Sequence, residues 1–360
     1  IDGVLLLEST PIPGASDALK ILQEFSIPFI LLTNGGGKME KDRAADLSKK
    51  LGVPISEENL IQSHTPFQEL VRGTSAQVAL EDKTILITGG HGDKCREVAL
   101  QYGFKNVVTP ADILMGYPHI WPFNQVFSDH YKLNCRPLPM PINPNDLSNS
   151  LKIDAILVFN DPRDWALDSQ IILDLLLSQE GFLGTYSSKN GDHALPNRGW
   201  LQDSQPHLYF SNPDLFWASG YHLPRLGQGG FQAALRGVWN AATNNACLTQ
   251  TTIGKPCNLT FEYAERALKK HYAKISGFHT SNLKEVWFVG DNPLTDIKGA
   301  NEFKSDHGIE WQSVLVTTGV YKKGSNPDHP PAMIASNVIE AVKLVINSKL
   351  EAAKKLNSRY

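Results

Sequence analysis

The chain has 360 residues, of which 41% are hydrophobic and 20% charged, and its formal net charge is −3. This composition is typical of a globular protein large enough for about two domains. It excludes a nucleic-acid partner held by a basic surface, and no apolar run reaches the ~20 residues that cross a bilayer. The four cysteines, Cys95, Cys135, Cys247 and Cys257, form no C-x-x-C pair, which favours unpaired thiols over a zinc site.

The first residues combine an acidic side chain with a short apolar run. Asp2 and Gly3 precede the apolar residues 4–7. In doubly wound α/β folds, a carboxylate at a strand end lies at the edge of the sheet where ligands bind. We expect residues 3–7 to be the end of a strand whose first half precedes Ile1, so that part of the central strand is missing from this chain.

The next segment alternates between helix and strand patterns. A helix is predicted from Ser16, and the apolar run 27–32 predicts a strand buried on both faces. This run stops at Thr33, Asn34 and the glycines 35–37, whose backbone amides can turn toward an anion. Two further helices, over 38–51 and from Phe67, complete a βαβα pattern.

The middle of the chain mixes regular and irregular stretches. Strands are predicted over 84–88 and 153–159, and helices over 93–102 and 169–177. Residues 117–149 and 184–205 have no regular period and are interpreted as loops. A short strand over 208–210 and a helix over 231–239 follow.

The C-terminal part has two strands and two helices. Lys255 stands in a Gly-Lys-Pro turn before a long helix that is predicted to begin near Asn258. The apolar run 286–289 ends at Gly290 and Asp291, and a second acid, Asp296, follows five residues later. A strand over 313–317 and a helix over 334–350 close the chain.

Chemically useful residues therefore follow four β-type runs. Because the carboxyl ends of parallel strands share one edge of a sheet, we expect Asp2, Thr33, Lys255 and Asp291 to converge there. Carboxylates suit Mg²⁺, while an ammonium and a hydroxyl can hold phosphoryl oxygens. Each residue alone is also typical of an ordinary turn or helix start, but their common position favours a phosphoryl-transfer site.

The same residues resemble the four motifs of the haloacid dehalogenase-like (HAD) hydrolase superfamily, and the long segment between the second and third motifs resembles the C2-type cap of its class IIA branch. Further stretches resemble the cat-eye-syndrome-critical-region-5-like subgroup, which includes mitochondrial proteins of fungi. These stretches are Ile61-Gln62-Ser63-His64, Phe159-Asn160-Asp161-Pro162, Phe210-Ser211-Asn212, Arg225-Leu226-Gly227-Gln228-Gly229 and Gly254-Lys255-Pro256.

The resemblance implies an α/β fold with a Rossmann-like core and an inserted cap. The expected core comprises residues 1–82 and 205–347, with a parallel sheet. The expected cap comprises residues 83–204, and residues 348–360 form a tail. The cap is expected to govern substrate choice, and its loop at residues 161–165 is a candidate for substrate contact, although an ordinary loop is the equal alternative.

The resemblance also implies roles for individual residues. The nucleophilic Asp is expected immediately before Ile1, and Asp2 is the general acid and base whose backbone carbonyl binds Mg²⁺. Thr33 and Lys255 bind the phosphoryl group, and Asn34 and Gly35 lend backbone amides. Asp291 is a metal ligand, and Asp296 supports or completes the metal site.

The function implied is that of a Mg²⁺-dependent phosphatase that acts on a small phosphorylated metabolite or phospholipid precursor through an aspartyl-phosphate intermediate on its own nucleophilic Asp. The alternative is a catalytically inactive module of a larger or fused glycerophospholipid-synthesis protein, which is favoured if the protein begins at Ile1. A transferase or phosphonatase on the same scaffold is less well matched. The phosphonatase would need a Schiff-base lysine in its cap, and the motifs supply no clear one. The resemblance implies a mitochondrial location, otherwise a cytoplasmic one, and leaves the oligomeric state open, with a homodimer among the alternatives.

Overall fold

The computed structural model describes residues 1–73, 78–123, 127–217, 221–277, 283–321, 324 and 326–357. Fourteen strands lie in these ranges. They are β1 Leu6–Leu7, β2 Thr10–Pro11, β3 Leu31–Leu32, β4 Leu60–Ile61, β5 Thr84–Thr88, β6 Asn106–Val108, β7 Ala155–Val158, β8 His207–Phe210, β9 Phe216–Trp217, β10 Arg225–Leu226, β11 Gln250–Thr252, β12 Glu285–Gly290, β13 Glu310–Val316 and β14 Met333–Ala335.

Eleven α-helices lie in the same ranges. They are α1 Ala15–Glu24, α2 Glu40–Leu51, α3 Gln68–Arg72, α4 Lys94–Tyr102, α5 Pro110–Gly116, α6 Ser128–Asn134, α7 Trp165–Leu177, α8 Gln228–Thr243, α9 Asn258–Ser276, α10 Lys298–Glu302 and α11 Val338–Asn357. None of these described helices is long and apolar enough to cross a bilayer.

The largest sheet has five strands in the order β6–β5–β7–β8–β11, and every neighbouring pair is parallel. All four residues of its central strand β7 are buried, as parallel strands require when helices cover both faces. One face packs against α7 and α8 through an apolar cluster that includes Ile171, Leu175 and Leu235.

The pairing of β8 and β11 corrects the predicted domain boundary. We expected the second part of the core to begin at residue 205, but residues 207–210 pair with β7 of the predicted cap, and residues 250–252 extend the same sheet by pairing with β8. A three-residue apolar run does not reveal from sequence which of two sheets it joins. We therefore propose that the capping unit extends from about residue 83 to residue 252.

Five of the remaining strands form two smaller parallel sheets in the core unit, whereas β1 pairs with β2 and β9 with β10 in short antiparallel ladders. β3 pairs with β4, and β12, β13 and β14 form a three-stranded sheet. Helices α1 and α11 pack together beside them, and their apolar side chains join one buried cluster. An apolar cavity of about 360 Å³ lies between the two sheets, lined by Leu31 and Leu32 on one side and by Phe288 and Val289 on the other.

The C-terminal helix is longer than predicted. We expected a tail from residue 348, but α11 continues through Asn357, so the described part of that tail is helical. Residues 358–360 lie outside the described ranges. The predicted α/β class, with parallel sheets and an added α/β unit, is confirmed.

Candidate active site

Thr33 and Asp2 meet at the end of β3. The Oγ1 atom of Thr33 donates a hydrogen bond to Oδ2 of Asp2 at 3.4 Å and accepts one from the Gly35 amide at 3.0 Å. Thr33 is buried, whereas Asp2 is exposed. A Cβ atom on Gly35 would lie 3.8 Å from Oδ2 of Asp2, so the glycine keeps the backbone close to the acid without a side chain between them.

Lys255 enters the site from the turn after β11. Its Nζ atom donates a hydrogen bond to Oδ1 of Asp296 at 2.7 Å, and both side chains are buried. Burial works against the ammonium group, but the carboxylate of Asp296 raises the pKa of Lys255 above its usual value. Burial likewise works against the Asp296 carboxylate, yet Lys255 holds the pKa of that group below its usual value. The pair is therefore ionised at neutral pH.

The loop after β12 orients the two acids differently. Both carboxylate oxygens of Asp296 are occupied, because Oδ1 accepts from Lys255 and Oδ2 accepts from the amides of Asp291 and Asn292 at 3.0 and 3.1 Å. Among the described residues, the carboxylate of Asp291 accepts one hydrogen bond from a backbone amide, that of Val320, to Oδ2 at 2.8 Å. Burial, and then the charge of Asp296, raise the pKa of Asp291 to about 6.

The backbone of two glycines lies close to the carboxylate of Asp291. A Cβ atom on Gly3 would lie 2.3 Å from Oδ2 of Asp291, and one on Gly319 would lie 2.0 Å from the same atom. Neither distance is compatible with a real side chain. The turn at residue 3 and the segment after β13 therefore fix the carboxylate in place, which sequence reasoning did not predict.

The side chain of Asn34 ties the site together. Its Oδ1 accepts from the Lys255 amide at 2.8 Å, and its Nδ2 donates to the Lys255 carbonyl at 3.0 Å and to Oδ1 of Asp214 at 3.1 Å. We predicted a backbone role for Asn34, and this side-chain role was missed. Asp214 was missed as well, although its position just after the buried strand β8 was a signal of the kind that identified the other residues.

A loop of the capping unit faces the glycines that follow Asn34. A Cβ atom on Gly37 would lie 2.5 Å from Nδ2 of Asn160. The next residue, Asp161, has a buried Oδ1 atom with no hydrogen-bond partner among the described residues, and burial raises the pKa of its carboxyl group. The residue that lies next to the glycine turn is therefore Asn160, immediately before the loop predicted as a substrate contact, residues 161–165. Asp161 instead lies near Gly227, where an added Cβ atom would be 3.6 Å from its Oδ1.

The charges in this site suit a cation. Asp2, Asp291 and Asp296 bring three carboxylates and Lys255 brings one ammonium, so negative charge is in excess around the buried Asp291. Among the described residues, no group of three or more His, Cys, Asp or Glu side chains is arranged to hold a metal. Asp296, one of three predicted ligands, has its oxygens engaged by Lys255 and two amides. The carboxylate oxygens of Asp2 and Asp291 are of the type that Mg²⁺ takes when it keeps several waters.

Two family models match the chain. Residues 1–105 match the family model described as haloacid dehalogenase-like hydrolase, and residues 252–341 match the model described as HAD-hydrolase-like.

Two relatives and a solved structure extend the match. A mitochondrial hydrolase of Saccharomyces cerevisiae is 38% identical over 95% of this chain and 92% of its own length. A cardiolipin synthase (CMP-forming) / mitochondrial hydrolase fusion protein of Schizosaccharomyces pombe is 37% identical over 98% of this chain, which spans 53% of that relative. The p-nitrophenyl phosphatase of Archaeoglobus fulgidus shares the fold, with a TM-score of 0.58, 16% identity and 96% coverage of both chains.

The motif-based prediction of family, fold and hydrolase class is therefore confirmed by the family models and by the yeast relative along almost its whole length. The chain belongs to the haloacid dehalogenase-like hydrolase family.

Proposed function

We propose that the chain is a Mg²⁺-dependent phosphatase of a phosphorylated small metabolite or phospholipid precursor. The observation that carries the proposal is the hydrogen-bonded chain from Lys255 through Asp296 to the backbone of Asp291. The Asn34 side chain joins the backbone of Lys255 to the loop of Thr33, beside Asp2. An ammonium, a hydroxyl, backbone amides and carboxylates at one point are the parts that phosphoryl transfer requires.

Thr33, Gly35 and Lys255 are proposed to hold the phosphoryl group. The hydroxyl of Thr33 donates to Asp2 and the amide of Gly35 donates to Thr33, so each would exchange that partner for a phosphoryl oxygen. The ammonium of Lys255 is charged because Asp296 stabilises it. Donors that are fixed before the reaction stabilise the charge that develops on the phosphoryl oxygens. The side chain of Asn34 holds the backbone of Lys255 at a fixed position relative to the Thr33 loop.

Asp2 is proposed to move the proton. Its carboxyl group is exposed and accepts one hydrogen bond from Thr33, so it is free to reach a leaving oxygen or an attacking water. A carboxyl group in this position can first donate a proton to the leaving oxygen and then accept one from water. The covalent aspartyl-phosphate step remains the prediction stated above from the family resemblance.

Asp2 and Asp291 are proposed to hold Mg²⁺, and Asp296 to position Asp291. When bound, the ion would neutralise charge on the phosphoryl oxygens. Asp291 is held by Gly3, Gly319 and the Val320 amide, so its carboxylate is oriented without a metal.

The relatives suggest where the substrate is found. One is named a mitochondrial hydrolase, and the other joins such a hydrolase to a cardiolipin synthase. We therefore propose a mitochondrial location and favour a phosphoester connected with phospholipid synthesis. The proposed substrate is a small-molecule phosphoester, whether or not it is connected with phospholipid synthesis.

The test is phosphate release by the full-length protein from p-nitrophenyl phosphate, glycerol phosphate and a lipid phosphomonoester, with Mg²⁺ or with EDTA. We expect Mg²⁺-dependent release that Asp291→Asn reduces about a hundredfold or more. The control is Asp129→Asn, the same change at a side chain that is 95% exposed in α6. If wild type and Asp291→Asn release phosphate equally from every substrate, the phosphatase proposal fails and the non-catalytic module is favoured.

A further inference from the structure

A short hairpin next to the site exposes an unusual amount of apolar surface. Strands β9 and β10 pair antiparallel, with Phe216 opposite Leu226 and Trp217 opposite Arg225. Six large apolar side chains of this segment are between 47% and 55% exposed. We refer to them as the apolar hairpin; they are Leu215, Phe216, Trp217, Tyr221, Leu223 and Leu226.

As far as the described residues go, both faces of the hairpin remain about half exposed along its two strands. Successive side chains of a strand point to opposite faces, so Phe216 and Leu226 lie on one face and Trp217 and Arg225 on the other. All four of these residues are exposed. Single exposed apolar residues are ordinary on protein surfaces, but a contiguous group of six marks an interaction site.

The base of the hairpin is fixed to the candidate active site. The Gly227 amide donates to the Leu215 carbonyl at 2.9 Å, and the Gly229 amide donates to the Asp214 carbonyl at 2.9 Å. Asp214 immediately precedes the hairpin and accepts the hydrogen bond from Asn34. The apolar hairpin therefore projects from the rim of the site rather than from a remote loop.

The charge of the segment limits what can cover it. Residues 215–227 contain no Asp or Glu, and they contain Arg225 and His222. The guanidinium carbon of Arg225 lies 4.4 Å from the centroid of the Tyr221 ring, so the cation stays among the aromatic side chains. Aromatic rings beside a basic residue, without acids, are suited to the boundary between lipid headgroups and acyl chains.

We propose that the apolar hairpin docks the protein on the surface of a bilayer that contains anionic phospholipids. Trp217, Phe216 and the leucines would enter the headgroup region, and Arg225 would contact lipid phosphates. The candidate active site would then face the lipid surface. This docking goes beyond the proposed phosphatase function and does not depend on it.

A second copy of the chain is the other occupant to consider. If a large apolar side chain has on the order of 200 Å² of surface, half exposure of six gives roughly 600 Å². A standard protein interface buries about 800 Å² on each partner, and somewhat more than half of it is apolar, so this area fits a second copy as well as a bilayer. Charge separates the two, because residues 215–227 offer no acidic side chain to pair with Arg225 in a symmetric contact of two hairpins. Anionic lipid phosphates provide that partner.

The test is co-sedimentation of the full-length protein with vesicles of phosphatidylcholine alone and of phosphatidylcholine mixed with phosphatidylglycerol. We expect binding to the anionic vesicles that Phe216→Ser/Trp217→Ser weakens about tenfold or more. Arg225→Gln should reduce the preference for anionic over neutral vesicles. The control is Leu133→Ser, which changes an apolar side chain that is 84% exposed in α6.

Three results would overturn the proposal. The wild type could fail to bind either vesicle, or Leu133→Ser could weaken binding as much as the hairpin double variant. Sedimentation in solution could instead show a dimer that the hairpin double variant dissociates, with no vesicle binding, which would assign the surface to self-association. Near-ultraviolet circular dichroism and thermal unfolding establish that each variant is folded.

Discussion

The ammonium of Lys255 and the carboxylate of Asp296 form a buried ion pair, with Nζ 2.7 Å from Oδ1, although 41 residues separate them in the chain. Removal of one partner leaves a buried charge without compensation. We predict that Lys255→Met lowers the free energy of unfolding by about 3–5 kcal/mol, measured by urea denaturation. We also predict that it lowers phosphate release by about a hundredfold or more, because the phosphoryl group loses its cation.

The double variant Lys255→Met/Asp296→Asn separates the two effects. It removes the uncompensated carboxylate as well as the ammonium, so much of the lost stability should return while turnover should not. Recovery of both stability and turnover would show that Lys255 acts only by holding the fold.

Gly319 provides a second prediction, because a Cβ atom there would lie 2.0 Å from Oδ2 of Asp291. The substitution Gly319→Ala must displace the carboxylate. We expect the Mg²⁺ concentration for half-maximal phosphate release to rise about tenfold or more, since misplacement of about 1 Å has large effects in active sites. A Mg²⁺ titration of the initial rate measures this.

Gly237 is the matched control for Gly319. It is exposed within α8, and a Cβ atom added there would meet nothing within 4 Å. Gly237→Ala should leave the Mg²⁺ titration unchanged and raise stability by about 1 kcal/mol, since alanine is the better helix former. If the two glycine variants shift the titration equally, steric control of Asp291 is excluded.

His64 provides a prediction for acid pH. It is buried, its Nδ1 lies 2.7 Å from the Tyr102 hydroxyl, and burial lowers its pKa to about 4. Between pH 6.5 and 4 the unfolded chain binds a proton at His64 that the folded chain does not. The contribution of neutral His64 to the free energy of unfolding is therefore fully present above pH 6.5. It decreases as the pH falls below 6.5 and is lost as the pH passes 4, by a few kcal/mol in total.

The variant His64→Gln should show a flatter decline of the unfolding free energy between pH 7 and 4.5 than the wild type. His193→Gln changes an exposed histidine and should keep the wild-type slope. Equal slopes in wild type and His64→Gln would contradict the prediction. Urea denaturation at each pH supplies the measurement.

Asp168 in α7 provides a prediction of opposite sign. Its Oδ2 accepts a hydrogen bond from Thr88 at 2.6 Å, and burial raises its pKa to about 7. The folded chain thus holds a proton that the unfolded chain releases near pH 4, so Asp168 reduces stability as the pH rises from 4 to 7. Asp168→Asn keeps an acceptor for Thr88 without the charge, and it should be more stable than the wild type at pH 8 by a few kcal/mol.

The same comparison at pH 5 should show a much smaller gain for Asp168→Asn. Asp129→Asn, at a largely exposed side chain, should have no comparable gain at either pH. A gain of equal size at pH 5 and pH 8 would mean that the charge of Asp168 is not its cause. Thermal or urea unfolding in matched buffers is sufficient for this experiment.

We predicted from the sequence that Asp2, Thr33, Lys255 and Asp291 lie close together, and hydrogen bonds and close contacts join their neighbourhoods. A shared edge of one parallel sheet does not account for this, because β3, β11 and β12 lie in three different sheets. The sequence was not sufficient to predict how these residues meet. The contact between Asn34 and Asp214 spans 180 residues and depends on the packing of two separate sheets. The engagement of both Asp296 oxygens is likewise a matter of loop geometry, which motif spacing does not encode. The predicted start of the second core segment at residue 205 differs from the sheet pairing for a related reason, since the sequence of a short strand such as β8 does not show which strand it pairs with.

The place of β11 at the edge of the larger sheet affects how Lys255 is held. Only Ile253 and Gly254 separate the edge strand of the larger sheet from this lysine, and Gly254 has a φ of +90°. A Cβ atom on Gly254 would lie 2.7 Å from the Ser211 carbonyl oxygen, so this pivot is packed against the same sheet. Any rotation of the larger sheet over the core must be absorbed within these two residues or be transmitted to the ammonium. Lys255 therefore lies directly after the connection between the capping unit and the core. A rotation of the capping unit would change the position of its ammonium group in the site.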